Sequence, residues 1–201
     1  MKKTLAAVLI GVSLTQALSG CAALAVGGLA VGGLSILDRR ATGAQADDQV
    51  IELQVVNNIT TYLHNQYPVN VYNNVKVISY NRAVLLVGVV ADQAAKDTAE
   101  RIARSQLAVN RVYNHITIGE ERSMNVAQDV WMTSKIRTML LNPKGYNPNH
   151  VKVTTFNGVT YAQGVLTPEE QAAINQQIST TLGVQKLVTL YETFVPTVQT
   201  Q

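Results

Sequence analysis

The chain contains two copies of one short sequence module, and this repeat limits the possible folds more than any other feature. Residues 75–81 (VKVISYN) recur as residues 151–157 (VKVTTFN), with a constant offset of 76 residues. At the same offset, Gly88 falls on Gly164 within matching Gly-Val pairs. A repeat of this kind marks one supersecondary unit that occurs more than once. The chain is therefore predicted to fold as two similar small modules.

Each copy begins with apolar residues at helical spacing, which predict a first helix. These residues are Leu53, Val55, Val56, Ile59 and Leu63 in the first copy and Met132, Ile136, Met139 and Leu140 in the second. A β-hairpin follows, with its turn at Asn81-Arg82 in one copy and at Asn157-Gly158 in the other. Asn-Gly between two β-branched runs is a strong signal for a tight turn.

A second helix and a last strand complete each copy. The helix is predicted to start at Asp92 in the first copy. In the second copy, Thr167 supplies the cap, Pro168 the first helical position and Glu170 the partner residue of a capping box. The resulting order is αββαβ, and it occurs twice.

This order predicts an α+β fold of two tandem modules, each with a small three-stranded sheet and two helices on one face. We place the modules at residues 47–119 and 123–195. The connection between them is so short that the modules should touch or have restricted relative motion. Gly88 and Gly164 hold the same strand position, so we predict that they are structural residues, where a helix crosses the sheet closely.

The N-terminal residues have the pattern of a targeting segment. A basic start, with Lys2 and Lys3, precedes an apolar stretch over residues 5–18, which predicts a signal peptide at residues 1–20. The sequence Leu-Ser-Gly-Cys that ends at Cys21 resembles the lipobox of bacterial lipoproteins. The resemblance implies that Cys21 is lipidated and, because Ala22 follows it, that the protein goes to the outer membrane. The alternative is an ordinary signal peptide followed by a free cysteine.

Residues 21–46 are predicted to be a lipidated N-terminus and a Gly/Ala-rich linker. The apolar part, residues 22–37, has only 16 residues and carries four glycines, which weaken a helix. We therefore expect a flexible spacer near the lipid surface. A second membrane segment is the alternative interpretation.

Composition argues against several classes of function. A single cysteine excludes an internal disulfide and a cysteine-built zinc site. The formal net charge of +3 includes two lysines of the leader, so it gives no reason to expect nucleic-acid binding. His64, His115 and His150 are scattered and lack a second ligand at helical spacing. No catalytic motif is present, and we expect neither enzyme activity nor a cofactor nor a metal site.

The αββαβ order, the Val-Lys-Val strand, the Gly-Val pair and the helix start at residues 131–137 (WMTSKIR) resemble BON domains. Two such domains behind a lipobox are similar to the dual BON-domain outer-membrane lipoproteins of Gram-negative bacteria. The resemblance implies a non-enzymatic protein that is anchored in the outer membrane, faces the periplasm, binds phospholipid and supports the integrity of that membrane.

One face of the second module's first helix is the candidate lipid-binding site. It carries Met124, Trp131, Ser134 and Lys135, where the first module has Asp47, Gln54, Asn57 and Asn58. This stripe lies roughly 100° from the core stripe, so it should be partly exposed. Tryptophan beside a cation suits an anionic phospholipid surface. The alternatives are that Trp131 packs between the modules or over a sheet edge, and that the stripe binds envelope-assembly proteins.

Overall fold

The structure, a computed structural model, describes residues 39–119 and 125–196. The first module contains α1 (Ala44–Gln66), β1 (Asn74–Tyr80), β2 (Ala83–Val90), α2 (Gln93–Ser105) and β3 (Arg111–Ile118). The second contains α3 (Val126–Leu140), a 3-10 turn (Pro148–His150), β4 (Val151–Phe156), β5 (Val159–Leu166), α4 (Pro168–Ser179) and β6 (Lys186–Thr193). The predicted α+β class and the twofold αββαβ order are confirmed.

Several sequence predictions fall outside this description. The signal peptide, Cys21 and most of the linker lie outside the described residues, and so does Met124. The structure does describe the end of the predicted linker. There α1 already begins at Ala44, before the predicted boundary at residue 46. Among the described residues, no helix is long and apolar enough to cross a membrane.

The two sheets have the same topology. In each, the hairpin strands are antiparallel, and the third strand lies parallel to the central strand, with strand orders β1-β2-β3 and β4-β5-β6. A parallel third strand requires a crossover connection, and the second helix of each module, α2 or α4, provides it. The central strands β2 and β5 are therefore hydrogen-bonded on both sides.

Both helices of a module cover the same face of its sheet. On α1, the buried apolar residues Ile51, Val55, Ile59 and Leu63 follow one another at intervals of four and pack against Val84 and Leu86 of the sheet. Leu53, one of the apolar residues that predict this helix, lies outside the core stripe, with its side chain 70% exposed. In the second module, Met132, Ile136 and Leu140 form the equivalent stripe.

A buried carboxylate on each first helix holds the hairpin turn of its module. The turn residues Asn81 and Arg82 both have positive φ, and their N–H groups donate to Asp48 at 2.9 and 2.7 Å. In the second module the turn N–H groups of Asn157 and Gly158 donate to Asp129 at 2.7 and 3.0 Å. Charged acceptors make the stronger hydrogen bonds, so these carboxylates fix helix and hairpin to each other.

The sheet faces that the helices leave uncovered pack against each other. Ile78, Leu85, Val87 and Val89 from the first sheet meet Phe156 and Tyr161 from the second in a shared apolar cluster. All eight residues of β2 are consequently buried. The buried amide of Gln163 donates to the carbonyl of Ala83 at 3.0 Å across this contact. The modules thus share a core, in line with the expectation that they touch.

The residues that precede α1 contact both modules. The Arg39 guanidinium pairs with Glu170 and lies 4.4 Å from the centre of the Phe194 ring, both in the second module. The Arg40 guanidinium lies 3.4 Å from Asp48 and 4.9 Å from the Tyr80 ring centre, both in the first. Two neighbouring arginines therefore join the start of the described chain to both halves of the fold.

The close approach predicted at the two strand glycines comes from neighbouring backbone. A Cβ on Gly88 would lie 2.8 Å from the Cα of Val75 and still closer to the carbonyl oxygen of Asn74. A Cβ on Gly164 would lie 2.6 Å from the carbonyl oxygen of His150. The prediction that a helix crosses at these positions was wrong. The approaching atoms belong to the first strand of each hairpin or to the residue directly before it.

Gly88→Val and Gly164→Val should each lower the melting temperature, because overpacking of this kind typically costs about 1–3 kcal/mol. The loss should be larger at Gly88, where only backbone atoms are in the way, than at Gly164, where part of the obstacle is the movable Leu166 side chain. Thermal denaturation followed by circular dichroism measures both. Thr189→Val, on an exposed position of β6, is the matched control. Unchanged melting of both glycine variants would contradict this account.

Candidate functional site

The candidate site lies on the exposed side of α3. Asn125 caps this helix, and its side chain accepts a hydrogen bond from the N–H of Gln128 at 3.0 Å. Met132, Ile136 and Leu140 point into the module, which turns the neighbouring positions outward. Trp131 is 56% exposed, so its ring is buried neither in the core nor between the modules.

Trp131 and Lys135 form a cation–π pair on this helix. The Lys135 ammonium lies 4.8 Å from the centre of the indole ring. It also donates a hydrogen bond of 2.7 Å to the carbonyl oxygen of Leu182, in the turn after α4. These two contacts hold the cation beside the ring at the protein surface. We call Trp131, Lys135 and Leu182 the tryptophan surface.

Leu182 is a member of this surface that the sequence prediction missed. Its side chain is 86% exposed, more than that of Trp131 itself. The available signal was an apolar residue directly before Gly183, in a predicted turn between a helix and a strand. Because its backbone carbonyl binds Lys135, the exposed Leu182 side chain adds apolar area to the same region of the surface.

The other predicted residues of the stripe do not join the tryptophan surface. Ser134 is exposed, and it lines a cavity between the modules together with Val130 and Arg137. Met124 lies outside the described residues. Of the four residues predicted for lipid binding, the structure therefore brings Trp131 and Lys135 into contact.

The same location in the first module has different chemistry. Gln54 replaces Trp131, and its amide oxygen accepts a hydrogen bond from the side chain of Gln106. Leu107 corresponds to Leu182 and is likewise exposed. The first module thus keeps the apolar turn residue but offers amides in place of the aromatic ring and the cation.

The histidines lie on separate elements. His64 is in the last turn of α1, His115 is on β3, and His150 is buried with its Nδ1 3.8 Å from a carboxylate oxygen of Glu170. Within residues 39–119 and 125–196, no three histidine, cysteine or acidic side chains come together as a metal site would require.

His115 lies where the two sheets meet. Its ring packs edge-on against Tyr161 of the other module, with 5.2 Å between ring centres. Burial lowers the pKa of His115, and the charges of Lys186 and Lys96 lower it further. The contact between the modules therefore favours the neutral imidazole.

This pKa shift predicts a loss of stability in acid. The unfolded chain takes up a proton at His115 near the ordinary value of about 6.5, whereas the folded protein resists protonation until a lower pH. The free energy of unfolding should thus fall as the pH drops through that interval. His115→Gln should reduce the difference in melting temperature between about pH 7.5 and 5, because it removes the titrating group. His64→Gln, at an exposed position, is the control. An unchanged difference in His115→Gln would contradict the assignment.

Comparison with known proteins gives a consistent family assignment. The BON domain family matches residues 47–120 and 128–190. The "Outer membrane lipoprotein DolP" of Haemophilus influenzae is 30% identical over 187 residues, which cover 92% of this chain and 94% of that protein. The "21 kDa hemolysin" of Actinobacillus pleuropneumoniae is 30% identical over 155 residues, 76% of this chain and 77% of that one.

Among solved structures, the type III secretion protein CdsD of Chlamydia trachomatis covers 70% of this chain and 61% of its own. The TM-score is 0.27 at 11% sequence identity. A likeness this low informs neither fold nor function.

Proposed function

The chain belongs to the dual BON-domain family that includes the outer membrane lipoprotein DolP, and on that premise we propose that it is a lipid-anchored protein of the outer membrane. In this proposal it faces the periplasm and supports the integrity of the membrane. Its second module binds anionic phospholipid through the tryptophan surface. The observation that carries the proposal is the exposed Trp131 ring with the Lys135 ammonium beside it.

The chemistry of the tryptophan surface suits the boundary of a bilayer. An indole ring combines a large apolar area with one polar N–H, and tryptophan is enriched at the level of the lipid headgroups. A lysine at that level is attracted to anionic headgroups by about 1 kcal/mol. Leu182 extends the apolar area from a second element of the module. The three side chains can therefore enter the headgroup region together.

Charge supports placing this function in the second module. Residues 122–201 contain six basic and four acidic side chains, whereas residues 47–121 contain six basic and eight acidic ones. An excess of basic groups favours approach to a negatively charged leaflet, and an excess of acidic groups opposes it. The first module also lacks the aromatic ring at the equivalent position, Gln54.

Trp131→Glu should weaken binding to anionic liposomes by roughly tenfold or more, since it removes an interfacial aromatic and adds repulsion from the headgroups. The measurement is flotation of residues 39–201, which lack the signal peptide, the anchor and the apolar spacer, with liposomes of phosphatidylethanolamine and phosphatidylglycerol. Lys135→Glu should also weaken binding, and added salt should weaken the wild-type interaction by screening. Liposomes of phosphatidylcholine alone should bind little protein.

Gln54→Glu is the matched control, because it makes the same replacement at the equivalent position of the first module. It should leave flotation almost unchanged. Trp131→Glu should keep the wild-type circular dichroism spectrum, since the side chain is exposed. A folded Trp131→Glu variant that floats like wild type would place lipid binding elsewhere, and a role as a protein-binding adaptor would become the better proposal.

The anchor has its own test. Cys21→Ala should abolish labelling by a radioactive fatty acid and should release the protein from the membrane fraction or leave its signal peptide uncleaved, because the thiol is the proposed acyl acceptor. A processed Cys21→Ala protein that stays in the membrane at the wild-type level would refute the anchor. That result would leave the tryptophan surface untouched, since the two contacts are chemically independent.

A further inference from the structure

A groove of about 560 Å³ lies between the modules, along the edge of the first sheet. We call it the edge groove. Its walls come from α1, strand β1, α3 and β4, and they include Leu53, Val56, Val77, Val130 and Arg137. Leu53 and Val130 are both more than half exposed although they are large and apolar. Helices of both modules thus present apolar side chains to the edge groove.

The floor of the edge groove is the unpaired side of β1. The backbone groups of Ser79 point to this side, away from β2. Its N–H donates to Glu52 at 2.7 Å, and its carbonyl accepts from Lys152 at 3.0 Å. In an antiparallel pair, alternate residues turn their backbone groups to the same side. The N–H and C=O groups of Val77 and Val75 therefore also point away from β2, into the groove.

Side chains of the protein bond the outward backbone groups of β1 at one end of the strand only. Glu52 and Lys152, which also pair with each other at 2.6 Å, occupy the backbone groups of Ser79. Within the described chain, no side chain bonds the outward groups of Val77 and Val75. An edge strand with free backbone groups is a template for pairing with another chain. The edge groove combines such a template with apolar walls.

The backbone groups distinguish between the possible occupants. A lipid acyl chain would cover the N–H and C=O groups of Val77 without bonding them and would leave buried polar groups unsatisfied, which is unfavourable. An extended peptide would bond those groups and place alternate side chains against Leu53 and Val56. Strand addition of this kind is a common mode of peptide recognition.

Charge determines which peptide fits. Lys76 and Arg137 line the groove, and neither forms an ion pair with another described residue. The acid in the groove, Glu52, is already matched by Lys152. The free charge is therefore positive. We propose that the edge groove binds an extended segment of a partner protein as an added strand on β1, with apolar side chains alternating with acidic ones.

The probe for this proposal is a synthetic eight-residue peptide of alternating valine and glutamate, added to the purified full chain in a non-ionic detergent. At up to ~1 mM peptide, the weak end of specific affinity, hydrogen exchange at the Val77 and Val75 amides should slow. The same peptide with N-methyl groups on its alternate amides cannot pair and should give no protection. No protection by the unmodified peptide would overturn the proposal.

Two variants locate the site. Val77→Pro removes one outward N–H, which an edge strand tolerates, and should abolish peptide binding. Val153→Pro makes the same change at the equivalent position of β4 and should leave it intact. Equal loss in both variants would refute the assignment to β1.

A charge variant keeps the test valid if Val77→Pro fails to fold. Arg137→Glu, on the surface of α3, should weaken binding of the acidic peptide roughly tenfold. Trp131→Glu should bind the peptide as wild type does, because the tryptophan surface is a separate site. Wild-type binding by Arg137→Glu, or loss of peptide binding in Trp131→Glu, would contradict the proposal.

Discussion

The arrangement of the two modules depends on the contact between the helix-free faces of their sheets. A three-stranded sheet with both helices on one side leaves its other side without cover, and in this chain that side is apolar in both modules. Each sheet buries the other one. Each module also forms a core of its own under its helices, and the shared cluster around Leu85, Val87 and Phe156 adds burial that a module this small could not provide alone.

This contact also positions the surfaces that carry the proposed functions. It holds α1 and α3 on either side of the edge groove, because each helix is fixed to its own hairpin by a carboxylate, Asp48 or Asp129. It leaves the outer side of α3 exposed, with Trp131 and Lys135 in contact. The helix that would meet a membrane is thus also a wall of the groove that would receive a peptide. The two sites can be occupied from different directions.

Features governed by local chemistry could be predicted from the sequence. The helix start at Thr167, with its capping box, and the positive-φ turn at Asn157-Gly158 depend on residues that are close in the chain. The phase of α1 was harder to predict, because its apolar residues occupy more than one face. Leu53 was one of the apolar residues that predicted the helix, yet it is exposed, whereas Ile51 completes the buried stripe.

The contact between the modules was only partly foreseen. The unbroken apolar run of Ala83–Val90 is typical of a strand that is covered on both faces, and this signal could have predicted a second layer. Which layer covers it is not a local property, since it depends on side chains some seventy residues away. The same limit applies to the glycines. Their position in the strand predicted a close approach, but not that the backbone of a neighbouring strand makes it.

The pair Arg39 and Arg40 has a mechanical consequence. A pull on the chain from its N-terminal side would reach the folded unit at these two residues first. Arg39 would pass the load to Glu170 and Phe194 in one module, and Arg40 would pass it to Asp48 and Tyr80 in the other. Tension would therefore be divided between the two modules at this point. Under the proposed lipid anchor, force from the membrane would enter the described fold beside these contacts, which connect to both modules.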